Sequence, residues 1–521
     1  MSKIMTAEQA ASLIADGQTV ASVGVIGWVV PNTVLSAIAK TFTETGHPRD
    51  LTFYFPVGTG DAVGIKGMDH VAKKGLMKRI VSGSYINPID PVTGKRPALM
   101  ELIQANEIEA YSWPIGASMH WLREVARKSP GYISRIGLGT YIDPKNGGGK
   151  FTALCQDDLV QRIEINGEPL LYYPTWNIDV AIIRASSADE FGNLSFEDEP
   201  LTSAGIALAY AVKSCGGKVI AQVKRIVERG TRPATEIRVP GMFVDALVVD
   251  AEMLSGTDID SQAAYLKPTK HFTDLPAVPF GPDKVIARRA AQEVRKHELS
   301  IFGFGAAADI PLTMVESGVL NPQSAYEDYW FTTEHGSYGG VVMSGWQFSA
   351  NKYPDALIDG LTQFDVIDGG LCKFAALAFA EYDSEGTVNV SKFGRVNPGA
   401  GGFTDIAANA ERLVFTGTFT TGGLVVEYED GKARIVKEGK VSKFVRCAQS
   451  ITYQVAQGVA RGQEAIIVTE RAVFEVRDNG LALVEIAPGI DLQTDVLDLM
   501  NFSPVEILDP LPLMDAALFK E

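Results

Sequence analysis

Near the start of the chain, in "TAEQAASLIADG", apolar Ala10, Leu13 and Ile14 recur at helical spacing. An uninterrupted apolar run, "TVASVG", follows and predicts a buried strand. A glycine loop, "GVIGWVVP", then leads into "NTVLSAIAKTF", which reads as a helix capped by Asn32. The same order returns much later. The stretch "DKVIARRAAQEVRKHELSIFGFGAAADIPLTMVESG" again gives helix, strand, glycine loop, proline and helix, with Pro311 answering Pro31. Two more pairs keep that order. "NIDVAIIRASSADEFGNLSF" is echoed by "LCKFAALAFAEYDSEGTVNVSKF", each an apolar strand, an acidic turn ending in glycine and a second β-prone run. "GGKVIAQVKRIV" is echoed by "AERLVFTGTF".

Strands this apolar need helices on both faces, which is the pattern of a parallel sheet in an α/β domain. The repeated order predicts two homologous α/β domains, residues 1–270 and 285–521. The linker, 271–284, falls in the proline-rich "KPTKHFTDLPAVPFGPDK". A chain of 521 residues is too long for one core, which agrees with this division. The tail "APGIDLQTDVLDLM" carries a helical repeat and is expected to pack on the second domain.

Composition narrows the chemistry. With 46% hydrophobic and 21% charged residues the chain is an ordinary globular sequence. A net charge of −16 argues against nucleic acid as a partner. The basic clusters "KRPA", "VKRIVERGTR" and "ARRAAQEVRK" are short, interleaved with apolar residues, and read as solvated faces. Cys155, Cys215, Cys372 and Cys447 form no CxxC pair and are expected as small buried residues. The first residues lack the apolar core of a signal peptide. The uncharged run from Asp16 to Lys40 contains Gln18, Pro31, Asn32 and three glycines, so it suits a strand, loop and helix better than a membrane span. A cytoplasmic protein is expected. The six histidines never fall at metal-ligand spacing and no GxSxG elbow occurs, so neither a metal site nor a serine nucleophile is expected.

Four glycine or acidic motifs remain. "FGFGAA" fits the GxGxxA dinucleotide pattern, but only Glu327 approximates the acidic residue expected about 20 positions on. The matching first-half loop lacks the pattern. Gly303 and Gly305 therefore read as a tight turn that brings a helix N-terminus to the sheet, a cradle for an anion. "NPGAGGFTDI" is either a turn capped by Thr404 or Asp405, or, through Gly401 and Gly402, a row of backbone N–H groups for an oxyanion. "PKNGGGK" reads as a surface turn, and Asp61, Asp189 and Asp383 as caps. In "FTTEHGSYGG", Glu334 precedes His335 at the mouth of a glycine-rich turn. Its local sequence leaves a salt-bridge partner, a metal ligand, an acid/base and a nucleophile all open.

Taken together, "TTEHGSYGG", "GAGGFTDI", "GLGTYIDPKNGGGK", "ADEFGNLSF", "NVSKFG", "TERAVFE" and "EIAPGIDLQTDVLD" resemble the family I coenzyme A transferases. The similarity is strongest to the single-chain acetate/propionate branch and spans nearly the whole chain. The resemblance implies two homologous three-layer α/β domains fused in one chain, facing each other across an active site. It implies Glu334 as a nucleophile that forms a glutamyl–CoA thioester in a ping-pong reaction. It further implies Gly401, Gly402, Gly303 and Gly305 as oxyanion and CoA-binding positions. The partners implied are acyl-CoA and short-chain acids of the acetate, propionate, butyrate or acetoacetate type, with no cofactor, in a homo-oligomer of tetrameric order. An acyl-CoA hydrolase on the same fold and a non-catalytic metabolite-binding protein are the alternatives.

Two departures stand out. The family pattern is Ser-Glu-Asn-Gly, or Glu-Ser-Gly in this branch, whereas His335 holds the middle position here. The usual first-domain GGFxxxGxP becomes "SVGVIGWVVP". Both leave the reaction type intact and bear on acyl preference. Trp28, Trp113, Trp346 and Phe348 are candidates for an acyl pocket, with core packing the simpler role for each.

Overall fold

A computed structural model describes residues 2–61, 63–85, 89, 93–269 and 271–521. By their internal contacts the residues form two compact units. One comprises Met1–Leu266, Leu357–Asp365 and Gly394–Asp405; the other comprises Lys267–Ala356, Val366–Phe393 and Ile406–Glu521. Residues 285–521 are therefore not a single unit, because two short segments of that range belong with the first. Helix Pro282–Ala291 begins inside the expected linker, with proline at its first turn and Gly281 before it.

In the first unit a parallel sheet runs, in spatial order, Ile4–Met5, Ala246–Val249, Lys218–Val227, Val180–Asp189, Thr19–Ser22, Leu51–Phe55, Met77–Ser82, Glu109–Ser112. Val180–Asp189 is buried at every position, as a central parallel strand between two helical layers must be. Helix Asn32–Thr45, read from "NTVLSAIAKTF", buries Val34, Leu35 and Ile38.

The second unit repeats this plan. Its parallel strands lie in the order Trp330–Thr332, Leu299–Phe302, Phe374–Ala378, Arg412–Thr416, Glu464–Val468. They match Leu51–Phe55, Thr19–Ser22, Val180–Asp189, Lys218–Val227 and Ala246–Val249 in both spatial and chain order. Antiparallel strands Ala472–Arg477 and Gly480–Ile486 then extend this sheet beyond Glu464–Val468. The acidic turns correspond as well. Asp189 Oδ1 accepts N–H groups of Phe191, Gly192 and Asn193 at 3.0, 2.9 and 2.9 Å. Asp383 Oδ1 accepts those of Glu385 and Thr387 at 3.0 and 2.9 Å. Asp61 does the same for Val63, Gly64 and Ile65. All three are turn caps.

Several local expectations change. Asn32 is the first helical residue, not the cap; Pro31 precedes it. The Asn32 side chain instead accepts from Lys66 N–H, Gly67 N–H and His70 Nε2. Pro311 lies inside helix Ala306–Glu316, whereas Pro31 stands before its helix, so the two prolines are not structural equivalents. Cys155 and Cys372 are buried, but Cys215 is half-buried and Cys447 exposed. In "PKNGGGK" the first residues are exposed while Gly148 and Gly149 are buried, and Gly149 accepts from Ser112 N–H. The tail forms helix Leu492–Asp495 and a short turn Leu497–Leu499, tied down by Arg471 Nη1 to the Asp495 carbonyl at 2.9 Å. Among the described residues no helix is long and apolar enough to cross a membrane, and no metal-ligand cluster of His, Cys, Asp and Glu occurs.

Candidate active site

Glu334 occupies the turn between strands Trp330–Thr332 and Ser337–Tyr338, which pair antiparallel with Thr332 opposite Tyr338. Four residues must reverse the chain tightly, and Gly336, with φ 88°, makes the reversal possible. The hairpin is anchored by the Gly339 N–H to the Phe331 carbonyl at 2.8 Å and by Asn351 Nδ2 to the Gly339 carbonyl at 2.7 Å. Gly340 has φ 66°, and a Cβ there would lie 2.1 Å from the Lys352 carbonyl oxygen. Two non-glycine residues nearby, Ser349 (φ 81°) and Tyr353 (φ 60°), also hold left-handed backbone. Strain of this kind collects around functional segments.

Register locates the turn. Trp330–Thr332 runs parallel to Leu299–Phe302, with Ile301 opposite Thr332. Gly303 follows the end of Leu299–Phe302, and Glu334 follows the end of Trp330–Thr332. Both lie past the carboxyl ends of adjacent parallel strands, where open α/β sheets bind ligands. The equivalent position in the first unit follows Leu51–Phe55 and reads Pro56-Val57-Gly58, with no carboxylate. Duplication thus leaves the acidic group in one unit only.

The Glu334 side chain retains 17% of its exposure, while that of His335 has none. His335 Nε2 is 3.4 Å from Glu334 Oε1, and among the described residues neither ring nitrogen finds a hydrogen-bond partner. Among the described residues no lysine or arginine pairs with Glu334, so the salt-bridge reading finds no such partner.

The other predicted residues divide. The Gly303 N–H is committed to the Ala376 carbonyl at 2.8 Å, continuing the sheet. Gly305, at φ 91°, starts helix Ala306–Glu316, which has no side-chain cap. Ala308 N–H donates to the Gly305 carbonyl at 2.9 Å, so among the described residues the N–H groups of Ala306 and Ala307 are left for an anion. Gly401 and Gly402 belong to the first unit. There the glycine segment crosses the ends of two strands: Gly401 N–H donates to the Gly83 carbonyl at 3.1 Å, and its own carbonyl accepts from Ile115 N–H at 3.1 Å. Ala400 N–H donates to the Tyr141 hydroxyl at 3.0 Å. Gly401 therefore has no N–H to offer an oxyanion, and Gly402 is the member of the pair whose N–H is uncommitted among the described residues.

Sequence reading missed two groups at the same edge of the second sheet. Lys443 Nζ donates to the Phe379 carbonyl at 3.1 Å and lies 4.9 Å from the Phe379 ring centroid. Burial pulls its pKa down to about 8, against the opposing pull of Glu470 and Asp283. Asp309, in the first turn of helix Ala306–Glu316, has its carboxyl pushed up by burial, partly offset by the Ser344 hydroxyl. Neither sits in a motif, since each is placed by residues far along the chain. The aromatic candidates also divide. Trp28 and Trp113 are core residues, Trp113 amid Tyr54, Trp121, Tyr173 and Trp176. Trp346 is half-buried, and Phe348 packs edge-on against Phe304 of the "GFG" loop, with centroids 5.6 Å apart.

A family model described as Coenzyme A transferase matches residues 4–250. The acetate CoA-transferase YdiF of Escherichia coli (strain K12) is 37% identical over 520 residues, covering 99% of this chain and 95% of that protein. The caffeate CoA-transferase of Acetobacterium woodii is 37% identical, covering 100% of this chain and 98% of its own length. The crystal structure of the acyl-CoA transferase YdiF from E. coli O157:H7, a thioester complex with CoA, matches with a TM-score of 0.90 at 35% identity. That match covers 100% of this chain and 96% of the other. Two parallel sheets built on one repeated plan, and identity sustained from end to end, lead to one assignment: the chain belongs to the coenzyme A transferase family.

Proposed function

We propose that this enzyme moves coenzyme A between short-chain carboxylic acids through a glutamyl–CoA thioester on Glu334. The observation that carries the reading is the setting of Glu334: a partly exposed carboxylate in a glycine-built turn, past the carboxyl end of a parallel strand whose neighbour leads into the "GFG" loop.

A reaction that conserves thioester energy cannot use water as acceptor, and a carboxylate nucleophile meets that need. Glu334 attacks the acyl-CoA carbonyl, giving a mixed anhydride and CoA thiolate. The thiolate then attacks the glutamyl carbonyl, releasing the first acid and leaving the enzyme as a thioester. The incoming acid reverses both steps. A carboxylate is a weak nucleophile, so binding energy from the remote nucleotide end of CoA must be used at the reacting carbonyl. A backbone N–H donor to the substrate's oxyanion is typically worth about 10²–10³ in rate, and the uncommitted Gly402 N–H is a donor of that kind. The N-terminus of helix Ala306–Glu316 is the proposed anion contact for CoA. Val341, Val342 and Met343, each at most 1% exposed, form a dry wall behind the turn and protect the anhydride.

Relatives of equal identity carry acetate and caffeate in their names. The assay that tests the function is therefore a panel of acetate, propionate, butyrate, lactate, acetoacetate and caffeate, each offered with acetyl-CoA. Acid-dependent formation of a new acyl-CoA is expected for at least one. Thioester loss that ignores the added acid would make hydrolysis the main reaction and overturn the proposal.

A further inference from the structure

His335 is an unusual residue to find where it is. Its side chain is fully buried, and burying an imidazole with both nitrogens unbonded is costly. The polar atom it faces is Glu334 Oε1, 3.4 Å from Nε2, slightly beyond hydrogen-bond length. Nothing else in the hairpin relieves it: Thr333 Oγ1 bonds the Ser349 carbonyl and Asn351 Nδ2 bonds the Gly339 carbonyl. The ring is held by packing and aimed at the proposed nucleophile.

We propose that His335 is a catalytic residue whose Nε2–H serves the enzyme's own carbonyl, a second oxyanion donor distinct from the one that serves the substrate. This rests on Glu334 being the nucleophile. The atoms balance as follows. Oε2 of Glu334 adds to the acyl carbon of acyl-CoA, and the electron pair moves onto the acyl oxygen. Collapse expels CoA thiolate. The thiolate adds to Cδ of Glu334, and the pair moves onto Oε1, the oxygen that His335 faces. Collapse expels the first acid carrying Oε2, while Oε1 stays as the thioester carbonyl. His335 keeps its Nε2 proton throughout and acts only as a hydrogen-bond donor. Negative charge on Oε1 peaks in the tetrahedral intermediate, so a contact that is long in the resting state shortens when it matters.

Three proteins test this: wild type, His335→Phe, which keeps the ring and removes the donor, and His335→Gln, which keeps a donor of similar reach. The expected result is a loss of about 10²–10³ in kcat for His335→Phe with KM for acyl-CoA little changed, and recovery of most of that loss in His335→Gln. The ¹³C-edited infrared carbonyl stretch of the glutamyl–CoA thioester should lie lower in wild type than in His335→Phe. Wild-type turnover in His335→Phe, or an identical carbonyl stretch in the two, overturns the assignment. If His335→Phe fails to fold, the wild-type stretch is compared with that of a simple glutarate thioester in dry hydrocarbon: a lower value supports the donor and an equal one refutes it. Wild type that never acquires the CoA mass on the Glu334 peptide fails the nucleophile reading itself. Wild type that acquires it while His335→Phe reacts normally fails only the role of His335.

Discussion

A methyl group added to Gly340 would sit 2.1 Å from a backbone carbonyl and require φ 66° of an L-residue. Gly340→Ala is therefore expected to destabilise the protein by about 1–3 kcal/mol and to reduce transfer sharply, because the hairpin it closes aims Glu334. Thermal melting and turnover, measured together, check this; an unchanged midpoint with full activity would contradict it. Glu334→Ala should behave oppositely. It removes a partly exposed side chain that has no arginine or lysine partner among the described residues, so the fold should survive while CoA exchange is lost. Circular dichroism and the acid-panel assay separate the two effects. The glutamate was legible because its whole turn is local: the glycines at 336, 339 and 340 are written next to it. Gly401 was only half legible. Its glycine-rich context suggests a free amide, but the group that occupies it, the Gly83 carbonyl, lies more than three hundred positions earlier.

At the scale of elements, the helix after the first glycine loop is fastened by the Asn32 side chain to the turn Gly67–Val71. His70 Nε2 lies 3.0 Å from Asn32 Oδ1, and burial, aided by Lys66 and Lys73, pulls its pKa down to about 4. The unfolded chain takes a proton at this imidazole near its ordinary value of 6.5, well before the folded state does. Between those values the unfolded state binds more protons, so stability falls as pH drops from about 6.5 toward 4 and is complete above that window. Denaturant titrations across this range should show the slope in wild type and a shallower one in His70→Asn; equal slopes would contradict it. Periodicity revealed this helix but misread its first residue. Asn32 has the chemistry of a cap, and what diverts it, the amides of Lys66 and Gly67, lies about 34 residues on.

For the whole molecule, the duplication was legible because each buried strand carries its own apolar run and the order of runs is repeated. Two sheets with the same strand order follow from it. The exchange of short segments between units was not legible. Gly394–Asp405 belongs with the first unit through bonds to residues 83, 115, 116 and 141, and nothing in its composition names those partners. Lys443 is hidden in the same way. Kinetically, releasing the first acid before the second binds should give parallel double-reciprocal plots at several acceptor concentrations; intersecting lines would point to a ternary complex instead. Light scattering should report a homo-oligomer, and a monomer would contradict that expectation. The most direct test of the central claim needs no second acid at all. After incubation with acyl-CoA alone, mass spectrometry of the digested protein should find the peptide containing Glu334 heavier by CoA less one water. No adduct there, together with transfer that persists in Glu334→Ala, would contradict the account.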